Sequence, residues 1–361
     1  MVYFEKIIEH NIKKIFLVIK LSDTIIWQPI LECDGEQNKE LFNMKLFLLS
    51  YHAISLIGIL KSMEKYTKKS KIAIIGVGRL GGSLALALSK SSYNVTSVFS
   101  RTFDSAVKLS NELDNCFPND NIQKAVEDAD IVFITTPDDS ISDVASSIKW
   151  STGQAVIHCS GVSGIELFKD IDSPVEFGAF HPMQTFSTLK EGSKSMQGIT
   201  FAIDGTEKIV MYLKDLTKSF KSNFVLVPSR HKPIYHLTGT LMGNLLLEYV
   251  AISAKLWEHI GYDQKKGIQA LVPMMRKIAD NLETIGLPEA LAGPYVRGDI
   301  GTIVKHLEIL KKTDPQLVNF YCELALAGFP FVEEKTNMEY ALREEIKNVL
   351  KSNIYREGIV K

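Results

Sequence analysis

The chain has 361 residues, of which 45% are hydrophobic and 23% charged, and a formal net charge of −1. That length and composition fit a soluble globular protein with two cored domains, and the near-neutral charge removes the electrostatic case for nucleic acid or a membrane surface as partner. Cys33, Cys116, Cys159 and Cys322 are scattered without a Cys-x-x-Cys pair. This argues against a zinc site or a disulfide framework, and it fits reduced thiols in the cytoplasm. No metal site is expected.

Residues 1–70 precede the first clear motif and read as an amino-terminal extension of unknown role. They hold two apolar runs, Ile15–Ile19 and Leu46–Leu60. The second is interrupted by Ser50, Tyr51, His52 and Ser55 and is short for a membrane-spanning helix. Lys61–Ser70 reads as a Lys/Ser-rich linker. An accessory helix–strand element, a membrane-surface segment and a start assigned upstream of Met63 stay open here.

Ile72–Ile75 is a buried-strand run that leads straight into Gly76-Val77-Gly78-Arg79-Leu80-Gly81, and a helical pattern, Leu80–Leu88, follows at once. A bare Gly-x-Gly-x-x-Gly is weak evidence, but between a strand and a helix it is the dinucleotide fingerprint. Gly76 permits the tight turn, Gly78 lets the backbone approach a pyrophosphate, and Gly81 lets helix and strand pack closely. The helix N-terminus offers N–H donors to phosphate. The next strand pattern, Asn94–Phe99, ends in Ser100-Arg101-Thr102. An NAD enzyme ordinarily carries an acid there for the ribose 2′-hydroxyl. Arg101 with flanking hydroxyls suits a 2′-phosphate instead, so NADP is the expected cofactor.

Further along, Phe103–Leu113 and Ile122–Glu127 read as helices. Asp130–Ile134 is a buried strand ending in Thr135-Thr136-Pro137, and Ser140–Ile148 is a helix with Asp138 or Asp139 as its cap. Ala155–Cys159 is the next strand, ending in Ser160-Gly161. Ligands in such sheets sit at the carboxyl ends of strands, so the Thr135–Pro137 and His158–Gly161 loops are expected over the ribose and nicotinamide. Val175–Phe180, Ile199–Ile203 and Phe224–Val227 read as further strands, with helix Glu207–Lys218 between the last two. After Pro228 the pattern is helical throughout: Pro233–Ile260, Gln264–Ile285, Asp299–Lys311, Gln316–Ala327 and Glu339–Leu350. The fold class is α/β, a Rossmann-like doubly wound parallel sheet followed by an all-α carboxy-terminal domain. Residues 71–229 form the dinucleotide domain, 230–352 a helical substrate and dimerisation domain, and 353–361 a tail.

The candidate chemistry sits in three places. His181, in Phe180-His181-Pro182-Met183-Gln184, follows a strand and could donate a proton or simply hydrogen-bond a loop. His236, Thr240, Gly243 and Asn244 fall on one face of a long apolar helix, as a ligand-facing stripe or a polar seam between helices. Arg297, on a Gly/Pro-framed turn before the N-cap Asp299, could reach an anion. His231 and Lys232 are weaker candidates, because they precede the long helix.

Taken together, Gly76 to Gly81, Thr135-Thr-Pro-Asp138, His158-Cys-Ser-Gly161, Phe180-His-Pro-Met183, the His236/Asn244 helix and Gly293-Pro-x-x-Arg-Gly-Asp299 resemble one family. In it a Rossmann-like oxidoreductase domain precedes a helical domain of unknown function. Its plan is similar to pyrroline-5-carboxylate reductases, deazaflavin-dependent NADP oxidoreductases and the 6-phosphogluconate dehydrogenase superfamily. The resemblance implies hydride transfer at the domain cleft and homodimers built through the helical domain. The expected activity is NADP-dependent hydride transfer to or from a small, anionic keto, imino or hydroxy acid. A prephenate- or arogenate-type dehydrogenase and a non-catalytic NADP sensor are the alternatives. His181 and His236 are candidate proton donors, Asn244 a positioner and Arg297 an anion anchor. The nucleotide is expected on Gly76–Gly81, Ser100–Thr102, Thr135–Pro137, Ser160 and Gly161.

Cofactor choice is directly testable. Arg101→Ala is expected to weaken NADP binding by about 1.5–3 kcal/mol, the worth of charged hydrogen bonds, and to leave NAD binding nearly unchanged in calorimetric titration. Equal wild-type affinities for the two nucleotides would refute the assignment.

Overall fold

The computed structural model describes strands within residues 2–34 as backbone and residues 65–355 in full. The apolar run Leu46–Leu60 and the end of the tail, 356–361, lie outside the described residues. Val2–Glu9 (β1), Ile12–Leu21 (β2) and Thr24–Asp34 (β3) form an antiparallel three-stranded sheet, with the Ile15–Ile19 run in β2. The chain folds as two compact units, Met1–Gly239 and Thr240–Lys361.

In the first unit strands and helices alternate: Ile72–Ile75 (β4), Arg79–Lys90 (α1), Val95–Phe99 (β5), Phe103–Ser110 (α2), Phe117–Asn119 (β6), Ile122–Val126 (α3), Ile131–Ile134 (β7), Ile141–Ser146 (α4) and Ala155–His158 (β8). Glu176–Pro182 (β9), Leu189–Lys194 (α5), Thr200–Gly205 (β10), Glu207–Ser219 (α6) and Asn223–Leu226 (β11) complete it. The eight strands run in the order β11-β10-β9-β8-β7-β4-β5-β6, a Rossmann-like doubly wound sheet. The inner strands β4, β7 and β8 are buried along their whole length, because helices cover both faces. One core lies on each face, around Leu84, Phe180 and Leu213 on one side and Ile75, Val132 and Phe168 on the other.

The sheet is parallel except where β9 meets β10. There Met183 N–H bonds the Thr200 carbonyl at 2.9 Å, so the chain re-enters the sheet at the end where it left. This register sets Ala202 opposite His181. Strand β6 escapes a pattern reading because it is short and contains Pro118, which is tolerated only at an edge. Asp138 and Asp139 do not cap the following helix: no side-chain cap bond is made at Ser140.

Lys232–Thr240 (α7) begins a long helix that continues through a π turn, Leu241–Leu245, into Leu246–Lys255 (α8). Gln264–Thr284 (α9), Pro294–Arg297 (α10), Ile300–Thr313 (α11), Leu317–Lys335 (α12) and Tyr340–Ser352 (α13) follow. The second unit's core gathers Ile303, Leu307, Val318, Cys322, Phe329, Ile346 and Leu350. Helix α12 runs past the expected end at Ala327 and through Pro330, because burial of Phe329 and Val332 outweighs the hydrogen bond that proline removes.

Candidate active site

The fingerprint turn is held by close backbone contact. Gly76 has φ +98°, and a Cβ there would lie 2.9 Å from the Thr136 amide. A Cβ on Gly81 would strike the Gly76 carbonyl and the Thr135 hydroxyl. Thr135 Oγ1 donates to the Gly76 carbonyl at 2.6 Å, so its hydroxyl braces the loop. Val77 is buried and Leu80 packs on the core, which anchors the turn from below. Gly78 stands in open space at the start of α1, with no side-chain cap over the helix amides. The Thr136 hydroxyl is buried without a protein partner. An open cradle, uncapped amides and an orphaned hydroxyl fit a nucleotide pyrophosphate and ribose. Arg79, Arg101, Thr102 and Pro137 are exposed and Ser100 is half-buried.

Two strands away, the loop after β8 meets the start of α7. Ser160 and Gly161 are both buried there. His158 accepts the Ser160 N–H on Nδ1 at 3.1 Å, and its Nε2 lies 3.0 Å from the Gly164 carbonyl. Those bonds fix a neutral ring protonated on Nε2. Burial and the nearby Lys232 charge push its pKa down to about 3, so His158 is a structural brace. Cys159 is held as a thiol, its pKa pushed up to about 12 by burial.

Lys232 lies at the centre of this region, and the expectation that it precedes the helix is corrected. It is the first residue of α7, has none of its surface exposed, and donates from Nζ to the Ser160 carbonyl at 2.9 Å. Burial lowers its pKa to about 8, against the opposing pull of Asp204, Cys159, Glu166 and Asp138. His181 and His236 stand edge to face, with ring centroids 5.8 Å apart. A Cβ on Gly161 would strike His236 Cδ2 and lie 2.7 Å from His181 Nε2, so only glycine fits between the rings. His181 sits inside β9, one residue before its end, rather than beyond it. Its pKa is pushed down to about 3 by burial and by the Lys232 and His236 charges, which removes it as an acid at neutral pH.

The helix face that meets these loops therefore carries Lys232, Tyr235, His236 and Gly239, at i, i+3, i+4 and i+7. Tyr235 bonds His181, and a Cβ on Gly239 would lie 2.8 Å from Met183 Sδ. The expected stripe from His236 to Asn244 is broken by the π turn, whose extra residue shifts the phase of the helix beyond it. Asn244, in that turn, and Arg297, at the end of α10, are exposed in the second unit. Asp299 caps α11 by accepting the Thr302 N–H at 3.0 Å.

Comparison with known proteins gives two family matches, the second of which begins inside the first unit. Residues 71–161 match the family described as NADP oxidoreductase, coenzyme F420-dependent. Residues 199–327 match a domain of unknown function, DUF2520. The chain joins an NADP-binding, Rossmann-like oxidoreductase domain to a DUF2520 region. Lys232, His236, Asn244 and Arg297 fall within the second match, and His181 lies between the two. Among solved structures, a provisionally named NADP oxidoreductase from Bacteroides fragilis is similar at 21% identity, with 73% of this chain and 99% of that one covered and a TM-score of 0.61. A 1-pyrroline-5-carboxylate reductase from Streptococcus pyogenes is similar at 14% identity, covering 78% and 100% of the two chains, with a TM-score of 0.55. A pyrroline carboxylate reductase from Plasmodium falciparum, solved with NADP bound, is similar at 13% identity, covering 78% and 99%, with a TM-score of 0.52. These likenesses establish the fold. A search of curated proteins by sequence finds no match.

The buried ammonium has a measurable cost. The folded pKa of Lys232 lies near 8 and its ordinary value is 10.5, so the unfolded chain holds that proton more tightly. The penalty, on the order of 3 kcal/mol, is complete below pH 8 and fades as pH rises through the window up to 10.5. Lys232→Met should therefore be more stable than wild type at pH 7, by roughly 1–2 kcal/mol after the lost bond to Ser160 is allowed for. Urea denaturation at neutral and alkaline pH reads this directly. A variant less stable than wild type at pH 7 would refute it.

Proposed function

We propose that this NADP-dependent oxidoreductase reduces the C=O or C=N bond of a small, anionic keto or imino acid, or oxidises the corresponding hydroxy or amino acid. NADP, when bound, supplies or accepts the hydride. The fingerprint turn, with Thr136 and Arg101, holds the nucleotide. Lys232, with its lowered pKa, gives a proton to the substrate heteroatom in reduction. His181 and His236, which pack against Gly161, orient the group that reacts. The observation that carries this reading is the buried ammonium at Ser160, in the same sheet end as the nucleotide turn. The scattered free thiols Cys116, Cys159 and Cys322 favour a reducing compartment, the cytoplasm.

The test is NADPH oxidation with a panel of keto acids and cyclic imino acids, followed across pH. Reduction is expected to slow as pH rises through about 8, where Lys232 loses its proton. NADP binding without turnover on any member of the panel would instead mark a nucleotide sensor.

We also propose a homodimer formed through the helical unit. Met242, Leu247, Met274, Ile278 and Leu282 are exposed large apolar side chains on the long helix and α9, the kind of surface that marks a contact with a partner. The helix 229–260 is long and apolar enough to cross a membrane by length and composition, but its Lys232 end is fixed in the first unit. A second copy of the chain is the fitting cover. Light scattering is expected to give twice the chain mass, and a clean monomer at micromolar concentration would overturn the proposal.

A further inference from the structure

Ser229 has no part in the roles assigned so far, yet its hydroxyl sits where three segments meet. It donates to Asp204 Oδ2 at 2.9 Å and accepts the Ile165 N–H at 3.3 Å. Chemistry fixes both directions, because an ionised carboxylate can only accept and an amide N–H can only donate. Asp204, on β10, is itself steadied by the Gly205 N–H, which donates to Oδ1 at 3.0 Å. Ile165 opens a short 3₁₀ turn and has no partner for its N–H within it. Gly164 makes room for the contact, since a Cβ there would strike Ser229 Oγ and Cβ. Ser229 in turn opens the 3₁₀ turn that leads into α7. Lys232 comes three residues on, along the same edge of the turn.

We propose that Ser229 is a positioning residue that seats the Lys232 ammonium against the Ser160 carbonyl. It reaches both members of that bond, the helix start through its own backbone and the loop through Ile165 and Gly164. The loop is stitched along its length. The Ser160 N–H donates to His158, the Ser163 N–H to Ser160 Oγ at 3.1 Å and the Gly164 N–H to Glu166 at 2.9 Å, and Ser229 holds Ile165. The inference rests on the oxidoreductase reading for its use, because such a seat fixes where the ammonium meets a substrate heteroatom. Ser229 itself acts only through Lys232. The titratable groups around that ammonium are Asp204 on β10, Cys159 and Glu166 after β8, Asp138 after β7, His181 on β9 and His236 on α7. None of them is removed when Ser229 is changed, so a change in the titration of Lys232 reports its position.

The test needs no substrate. The full chain, labelled with 13C-lysine, is titrated between about pH 6 and 11 by proton–carbon correlation at Cε, with the Lys232 signal identified by its loss in Lys232→Met. The wild-type signal is expected to change near pH 8. Ser229→Ala frees the helix start and lets water reach the ammonium, which relieves the burial that depresses its pKa. The midpoint is then expected to rise toward 10.5 by about one unit or more, a tenfold tighter hold on the proton. Gly164→Ala leaves the hydroxyl in place but fills its seat, and is expected to give the same rise. An unmoved midpoint in either folded variant, even with a lowered melting temperature, would mark a purely structural contact and overturn the proposal. In the wild type the Ile165 amide is expected to exchange slowly with solvent. Exchange at the unprotected rate would overturn the proposal whether or not either variant folds. Neither readout depends on turnover, so a failed NADPH assay and a failed seat are distinguishable.

Discussion

A lysine ammonium with no exposed surface is the constraint around which the first unit is arranged. Removing that charge from water costs several kcal/mol unless fixed oxygen atoms replace the water. The Ser160 carbonyl is the direct replacement. It is aimed by His158, which ties Ser160 N–H to one ring nitrogen and faces the Gly164 carbonyl with the other. Ser229 completes the tie: its hydroxyl donates to Asp204 at 2.9 Å and accepts the Ile165 N–H at 3.3 Å. The loop after β8, the end of β10 and the residues just before α7 are thus fastened to one another around the charge. A buried charge that weakens the fold while organising three segments is the pattern expected of a functional site rather than of a structural ion pair.

The order of the strands does the rest. In the series β9-β8-β7-β4 each strand is parallel to its neighbour, so their carboxyl ends line one edge of the sheet. Along that edge come His181 within β9, Ser160 and Gly161 after β8, Thr135 and Thr136 after β7, and the fingerprint turn after β4. Thr135 couples the last two of these through its bond to the Gly76 carbonyl. A rigid sheet therefore sets the spacing between the fingerprint turn and the loops that meet Lys232 and His181, a spacing that elements hold more precisely than loops do.

The parts of this arrangement that were legible in the sequence are those with a local physical cause. Gly76 and Gly81 announce themselves because a positive φ and a backbone contact admit no side chain, and the buried strands because both of their faces are apolar. His181 and His236 could be singled out as polar residues near a strand end and on an apolar helix. Lys232 could not be placed, for two reasons. Pro233 is a natural first residue of a helix, so Lys232 falls outside by one position. Its partner Ser160 is 72 residues away, and no local pattern reports that contact. The signal that was present is the i, i+3, i+4, i+7 spacing of Lys232, Tyr235, His236 and Gly239. It points toward the amino-terminal end of the helix, whereas the stripe from His236 to Asn244 points the other way and crosses a π turn that regular periodicity cannot foresee.

Helix α7 consequently has two unlike faces. Lys232, Tyr235, His236 and Gly239 turn toward the sheet loops, while Ile234 and Leu237 are exposed. In an isolated amphipathic helix the apolar side would face the protein and the polar side would face water. Here the order is reversed, because the site claims the polar side. An apolar stripe left outward by such a reversal has no means of burial within its own unit, since the face that could have turned inward is already committed to the ammonium and the two rings. The chemistry of the site and the exposed apolar surface of the long helix are therefore two consequences of the same choice of helix orientation.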